Sequence, residues 1–410
     1  VTPHLFAVGR VWPEPRSSAA GWHFNSLLRV FRDAGWRVSF GSPAAPGPLH
    51  EGLSELDIST HRLAVNCESF DALMASEAPD VVLFDRFVTE EQFGWRVAEQ
   101  LPRAVRVLDT EDLHCLRGSR ERALRAGISW SEALLHHPLT YREVASILRS
   151  DLALVLSDFE IELLTRALGV PASQLVHTPF LLDSSVTPVP RFEEREGFVW
   201  LGGFLHGPNV DSVTWLAQEL WPALRARAPV ATVRIYGSHA GAEVLRLHQP
   251  ERGFFVEGWC ADAPAELRRA RVLLAPLRYG AGLKGKIAEA MLTGTPTCTT
   301  SVGAEGMAEA GAFPGAVEDV PHAFVEAALR LHFDANAWDI ASAQCDTVLR
   351  ERFAADATAA RLLSAVEGAL VALDAHRGRH FLGAMLRHHT LQSTRYLAKW
   401  IVAKNAAASK

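Results

Sequence analysis

The chain has 410 residues, 48% hydrophobic and 21% charged, the balance of a folded protein long enough for two sizeable cores. Its formal charge of −6 gives no bulk electrostatic footprint for nucleic acid, so no nucleic-acid partner is expected. The five cysteines (Cys67, Cys115, Cys260, Cys298 and Cys345) are widely spaced and form no CxxC pair; neither a zinc site nor a disulfide framework is predicted, and a reducing, cytoplasmic setting fits. No basic-plus-apolar leader opens the sequence, and no run of about 18 apolar residues is present to span a membrane.

In chain order, "HLFAVGRVW" (4–12) reads as a buried strand. A loop with Ser17, Ser18 and Gly21 follows, then Phe24, Leu27, Leu28 and Phe31 at helical spacing. "WRVSFGSP" is the next strand, so the chain opens as a β-loop-α-β unit of a doubly wound sheet. "DVVLFDRF" (80–87), "AVRVLDTEDLH" (104–114), "DLALVLSDFE" (151–160) and "QLVHTPF" (174–180) continue the strands, with a helix over 90–101. These runs are apolar throughout rather than alternating, as parallel strands covered on both faces require. The polar, proline-containing segment 184–197 reads as an interdomain linker. A second α/β series follows: "FVWLGG" (198–203), "TVRIYG" (232–237), "GFFVEG" (253–258), "RVLLAP" (271–276) and "TPTCTT" (295–300).

The predicted division is a first domain over 1–183, a linker over 184–197, a second domain over 198–370 and a helical tail over 371–410. The tail is basic (Arg379, Arg387, Arg395, Lys399, Lys404), with Phe381, Met385, Tyr396, Leu397 and Trp400 on a candidate apolar side. It reads as a terminal helix packed on the domains or, alternatively, as a peripheral contact with the anionic inner face of a membrane.

"RYGAGLKGKIAEAM" (278–291) fits two phosphate-binding patterns at once. Gly280, Gly285 and Lys286 have the spacing GxxxxGK, and Gly280, Gly282 and Gly285 have the spacing GxGxxG. A P-loop holds Mg²⁺ with a Ser or Thr after its lysine, and that position here is Ile287. A dinucleotide fingerprint needs an acidic residue about 20 positions on, where Glu305 stands. A third reading has the glycines serve only a tight turn, with Lys284 and Lys286 solvated. Common to all three is a glycine-rich turn opening a helix, whose amides and positive dipole end suit a diphosphate.

The runs "FVWLGGFLHGPNVDSVTWLAQELWPAL", "TVRIYGS", "VEGWCAD", "ARVLLAPLRYGAGLKGKIAEAMLTGTP" and "TSVGAEGM" resemble the donor half of glycosyltransferase family 4, the retaining GT-B group, in its bacterial subgroup. "LDTEDLHCLRGSRERAL" (108–124) and "SDLALVLSDFEIELL" (150–164) resemble its acceptor half, and the likeness covers roughly residues 1–310. It implies two Rossmann-like α/β/α domains facing a cleft, with a C-terminal helix crossing back to the first domain. A nucleotide sugar is then bound mainly by the second.

The resemblance places the donor ribose on Glu289, one helical turn beyond Lys286. It places the diphosphate on the backbone of Gly280, Ala281, Gly282 and Leu283, with Arg278, Lys284 and Lys286 as candidate cations, and the base near Trp259 and Asp262. Gly203 and Asn209 complete the donor side. Two departures stand out. Ala281 occupies the first glutamate of the family's Glu-x7-Glu pattern, and "GGFLHGPN" carries His206 but no Arg or Lys.

The activity implied is transfer of a sugar from a UDP-, GDP- or TDP-sugar to an acceptor hydroxyl, with no metal or other cofactor. Lys286 and helix amides stabilise the leaving diphosphate. His114 is the second catalytic candidate, placed to orient the acceptor or contact the sugar. Ser17, Ser18, Gly21, Glu111 and Asp112 are assigned to the acceptor side, and the acceptor is a glycan, a lipid-linked sugar or a protein. Asp109, Glu111 and Asp112 read as a helix-capping loop rather than a metal site. Ser157 and Glu160 fit the acceptor-domain segment or a helix cap, and His376 and His380 read as surface residues. The alternatives are a nucleotide-sugar epimerase of the same fold, which uses paired carboxylates, and a non-catalytic nucleotide-sugar-binding protein.

Overall fold

Runs that are apolar on both faces have to be sandwiched, and in the computed structural model they are. It describes residues 2–15, 18–47, 53–182 and 188–388, together with Tyr396 and Trp400. Ser17, residues 184–187 of the expected linker and most of the tail beyond 388 lie outside the described residues. The first sheet contains β1 (His4–Val8), β2 (Arg37–Ser42), β3 (Ser59–Arg62), β4 (Val81–Asp85), β5 (Val105–Asp109), β6 (Leu152–Val155) and β7 (Leu175–His177). All are parallel, in the order β3-β2-β1-β4-β5-β6-β7. Leu5 and Ala7 of β1 join one apolar layer, and Phe6 and Val8 join the other.

The second sheet holds β8 (Phe198–Leu201), β9 (Val233–Tyr236), β10 (Phe254–Gly258), β11 (Val272–Ala275), β12 (Thr297–Thr299) and β13 (Gly315–Val317). It is also parallel, in the order β10-β9-β8-β11-β12-β13. Each sheet therefore reverses its winding beside its own first strand, between β1 and β4 and between β8 and β11. In open α/β sheets the crevice outside the strand ends at such a reversal is where ligands bind. "RYGAGLKGKIAEAM" is the connection that leaves β11 at that point.

Arg195, 1% exposed, ties the chain into the second domain just ahead of β8. Its guanidinium donates to the carbonyls of Pro190, Leu267, Ala270 and Thr293 and to Thr295 Oγ1. The Ala335–Arg352 helix still packs in the second domain, through Cys345, Val348 and Leu349. The next helix, Ala355–Val371, lays Leu362, Val366 and Ala369 into the first domain's core. The chain thus crosses back at 353–354, and a helix that the sequence reading assigns to the second domain belongs to the first by its packing. The reason is visible in the residues: the apolar positions of 355–371 match the uncovered layer beneath β1, β4 and β5.

Candidate active site

The turn after β11 runs through Gly280 and Gly282 into the Gly285–Leu292 helix. Lys284 precedes this helix without a side-chain cap, so the first-turn amides are not capped by it. Lys284 is nearly buried, and its Nζ turns back into the loop to donate to the carbonyls of Ala281 and Gly282. It staples the turn. Arg278 points the other way: it is exposed, pairs with Asp211 at 3.0 Å and lies against the Trp215 ring.

Lys286, half-buried in the first turn of the Gly285–Leu292 helix, reaches back to the loop after β8. Its Nζ donates to Asn209 Oδ1 at 2.8 Å and lies 4.1 Å from the centre of the Trp200 ring. Asn209 in turn donates from Nδ2 to the Gly203 carbonyl at 2.8 Å, so Lys286, Asn209 and Gly203 form one connected group. Burial lowers the Lys286 ammonium to about 7, against the pull of Glu289. Burial raises the Glu289 carboxyl to about 7, against the pull of Lys286. An arriving polyanion would reverse the first shift, since it favours the charged lysine. Trp259 stands 45% exposed after β10, and Asp262 caps the Ala263–Arg269 helix by accepting from the Ala265 amide at 2.9 Å.

The first domain meets this turn directly. Gly282 has φ +63, and a Cβ there would sit 2.8 Å from Asp112 Cβ. A Cβ on Gly285 would sit 2.3 Å from Ala19 Cβ, at the start of the Ala19–Asp33 helix. Two helix N-termini therefore face each other at the domain boundary. Ala281 is 7% exposed and packs into the first domain's apolar cluster with Phe6, Val8 and Leu108.

On the first-domain side, Glu111 follows β5 with φ +59, a strained setting for a non-glycine residue. Burial first, and the neighbouring Asp109 second, push its carboxyl well above the usual range. Asp109 is raised by its own burial and by Asp85. Asp112 behaves oppositely: burial opposes its charge, but the paired Arg117, with His114 and His206, holds it well below the usual carboxylate range. His114 opens the His114–Ala126 helix, with Nε2 3.5 Å from Asp112 Oδ1 and its ring edge-on to Phe87. Burial lowers both His114 and His206 to about 4, so both imidazoles are neutral at pH 7. Ser18 caps the Ala19–Asp33 helix by accepting from the Gly21 amide at 3.1 Å; Gly21 lies so close to Glu14 that a Cβ would meet its backbone at 2.6 Å. Among the described residues no group of three or more His, Cys, Asp or Glu is arranged to hold a metal ion.

At the switch point of the second sheet, then, the Gly282 turn and the start of the Gly285–Leu292 helix meet Asp112 and Ala19 of the first domain. Residues 195–334 match the family model of the glycosyl transferases group 1. No curated protein sequence matches the chain. Among solved structures it is similar to sucrose-phosphate synthase from Thermosynechococcus elongatus, at 15% identity over 90% of this chain and 100% of that one, with a TM-score of 0.67. It is similar to Anabaena HepE in complex with UDP and glucose, at 15% identity over 90% and 100%, with a TM-score of 0.66. A glycosyltransferase from Rickettsia africae aligns at 9% identity over 90% and 99%, with a TM-score of 0.65. At these identities the likeness shows the fold, which is GT-B.

Within this GT-B frame the short motifs resolve. Ile287 is fully buried in the second domain's core, with no oxygen to offer a metal. Glu305 is taken by Arg120, whose two Nη atoms reach its carboxylate at 2.9 and 2.6 Å; it is an interdomain partner. His376 and His380 are 6% and 5% exposed, not surface residues, because the Leu373–Gly378 helix packs on the first domain and His376 Nε2 meets the Asp151 carbonyl at 2.7 Å. The Phe381–Arg387 helix docks Gly383 against the Leu148 carbonyl and leaves Phe381 and Met385 exposed. No described helix is long and apolar enough to cross a membrane.

Trp200 and Arg120 are absent from the sequence reading's site set. Trp200 reads as an ordinary core aromatic of β8, and Arg120 as one of several arginines on an amphipathic helix.

Proposed function

We propose that the protein is a retaining glycosyltransferase that moves a sugar from a nucleoside diphosphate sugar to an acceptor hydroxyl. The observation that carries the reading is Lys286, held by Asn209 over Trp200 at an N-terminus without a side-chain cap, one turn before Glu289. A diphosphate at Lys286 and the Gly285–Leu292 amides puts the ribose within reach of Glu289. The bond from the anomeric carbon to the diphosphate oxygen breaks as the acceptor oxygen bonds to that carbon on the same face. The acceptor's proton passes to the departing phosphate oxygen. Lys286 and the helix amides stabilise the charge that develops there. Neutral His114, beside Asp112, orients the acceptor or the sugar. Activity is independent of added metal in this reading, so a chelator leaves the rate unchanged. The HepE structures hold UDP, UDP with glucose, and UDP-glucose, which makes UDP-glucose the first donor to try.

The deciding experiment is calorimetry with UDP, GDP, TDP and ADP and their sugars. Binding of one nucleotide that is lost in Lys286→Ala and Glu289→Ala supports the reading; no binding by any of them refutes it. NMR of the product anomer tests retention. The raised carboxyls of Asp109 and Glu111 motivate the epimerase as a second reading. Incubation of the donor without acceptor separates the two: an epimerase returns an isomeric sugar nucleotide, whereas a transferase returns none.

A further inference from the structure

We infer that Arg120 and Glu160 of the first domain are positioning residues that hold the Gly280–Gly282 turn in its diphosphate-binding shape, so that donor affinity depends on domain closure. This rests on the reading of that turn as the donor site. Arg120 lies in the His114–Ala126 helix, 8% exposed, and its Nη1 donates to the Gly280 carbonyl at 2.9 Å while the guanidinium grips Glu305 just beyond β12. Glu160 lies in the Asp158–Arg166 helix, fully buried, and its Oε1 accepts from the Gly282 amide at 2.9 Å and from the Leu113 amide at 3.0 Å.

Two first-domain helices thus take the carbonyl at one end of the turn and the amide at the other. Asp112 presses against Gly282 between them. The second domain's own hold on the turn includes Lys284, whose ammonium donates to the carbonyls of Ala281 and Gly282 in the same loop and whose amide donates to Met307 Sδ. Glycines at 280 and 282 give an undocked turn wide conformational freedom, and a ligand that has to order it binds more weakly. The first domain supplies that order in advance. Glu160 acts here as an acceptor for an amide, a role that does not require its charge.

The test is calorimetry on the full chain with UDP, GDP, TDP and ADP, followed by kcat and KM for the sugar of whichever nucleotide binds. Arg120→Ala and Glu160→Ala are each expected to weaken that nucleotide by about tenfold and to raise KM more than they lower kcat. Glu160→Gln keeps an oxygen for the Gly282 amide and is expected to stay within about threefold of wild type, whereas Glu160→Met, which keeps the volume but no such acceptor, is expected to bind as weakly as the alanine variant; a packing role would spare both. Should Arg120→Ala fail to fold, Glu305→Gln loosens the same grip from the second domain and is expected to weaken binding by about fivefold. Folded alanine variants that bind the nucleotide as wild type does overturn the inference and leave the proposed function standing. If wild type binds none of the four nucleotides, the donor-site reading fails instead. Small-angle scattering then decides the closure half: a larger radius of gyration in Arg120→Ala supports the grip, and no change overturns it.

Discussion

The two sheets wind in the same order, yet the faces they present to the cleft are chemically opposite. The second domain offers an ammonium, a helix start without a side-chain cap and a glycine turn, shaped at the switch point between β8 and β11. The first brings Asp112, half-buried and paired with Arg117, and behind it the buried carboxyls of Asp109, Glu111 and Glu160 at the ends of β5 and β6, with Glu111 in a left-handed backbone setting. The difference teaches that the winding fixes where a ligand can sit, and the loop residues decide what charge it carries. A cationic cradle suits the proposed diphosphate, whereas burial pushes the carboxyls of Asp109, Glu111 and Glu160 up toward their neutral forms.

The sharpest way to break this comparison is to remove the cation. Lys286→Ala is expected to weaken nucleotide binding by about a hundredfold, as loss of a charge-assisted bond in a dry site implies; calorimetry reads it. Placing a carboxylate on the wrong face comes next. Ala281→Glu restores the family's first glutamate but buries it among Phe6, Val8 and Leu108, so it is expected to cost about 3 kcal/mol in a thermal or denaturant melt.

The pH profile sharpens the cationic side. Lys286 and Glu289 both sit near 7 in the free protein. Above pH 7 binding has to return a proton to Lys286, and below pH 7 it has to remove one from Glu289. Nucleotide affinity is therefore expected to peak near neutrality and fall by up to about tenfold per pH unit on either side. Lys286→Arg should flatten the alkaline limb, and Glu289→Gln the acid limb.

The smallest effect belongs to His114. Its imidazole is neutral above about 4, so His114→Gln should lower kcat by about tenfold and leave the shape of the rate profile between pH 6 and 8 unchanged. A new break in that profile would contradict an orienting role.

Much of this fold was legible because parallel strands buried on both faces announce themselves as unbroken apolar runs. The two that escaped, β3 and β13, are edge strands: "STHR" is largely exposed and "GAV" is only partly covered, so neither carries an apolar signature. At the site, Lys286, Asn209 and Gly203 come together because one helix start and one β8 turn are local features. Arg278 and Lys284 share the same stretch of letters, yet one turns outward to Asp211 and the other folds into its own loop. Orientation at that scale depends on partners far away in sequence. The same holds for Arg120 and Glu160, which meet the turn from 160 and 122 residues away. Ala281 shows the limit in its plainest form. In the sequence it is a missing glutamate, and in the fold it is a surface fitted against another domain.

The outgoing and returning passes of the chain touch each other where they cross. Leu182 donates its amide to the Phe353 carbonyl at 2.9 Å and bridges in parallel to Ala354. On the second-domain side, Arg195 locks the outgoing pass into the body it enters. A rotation of one domain about this crossing would part Gly282 from Asp112 and Gly285 from Ala19 together.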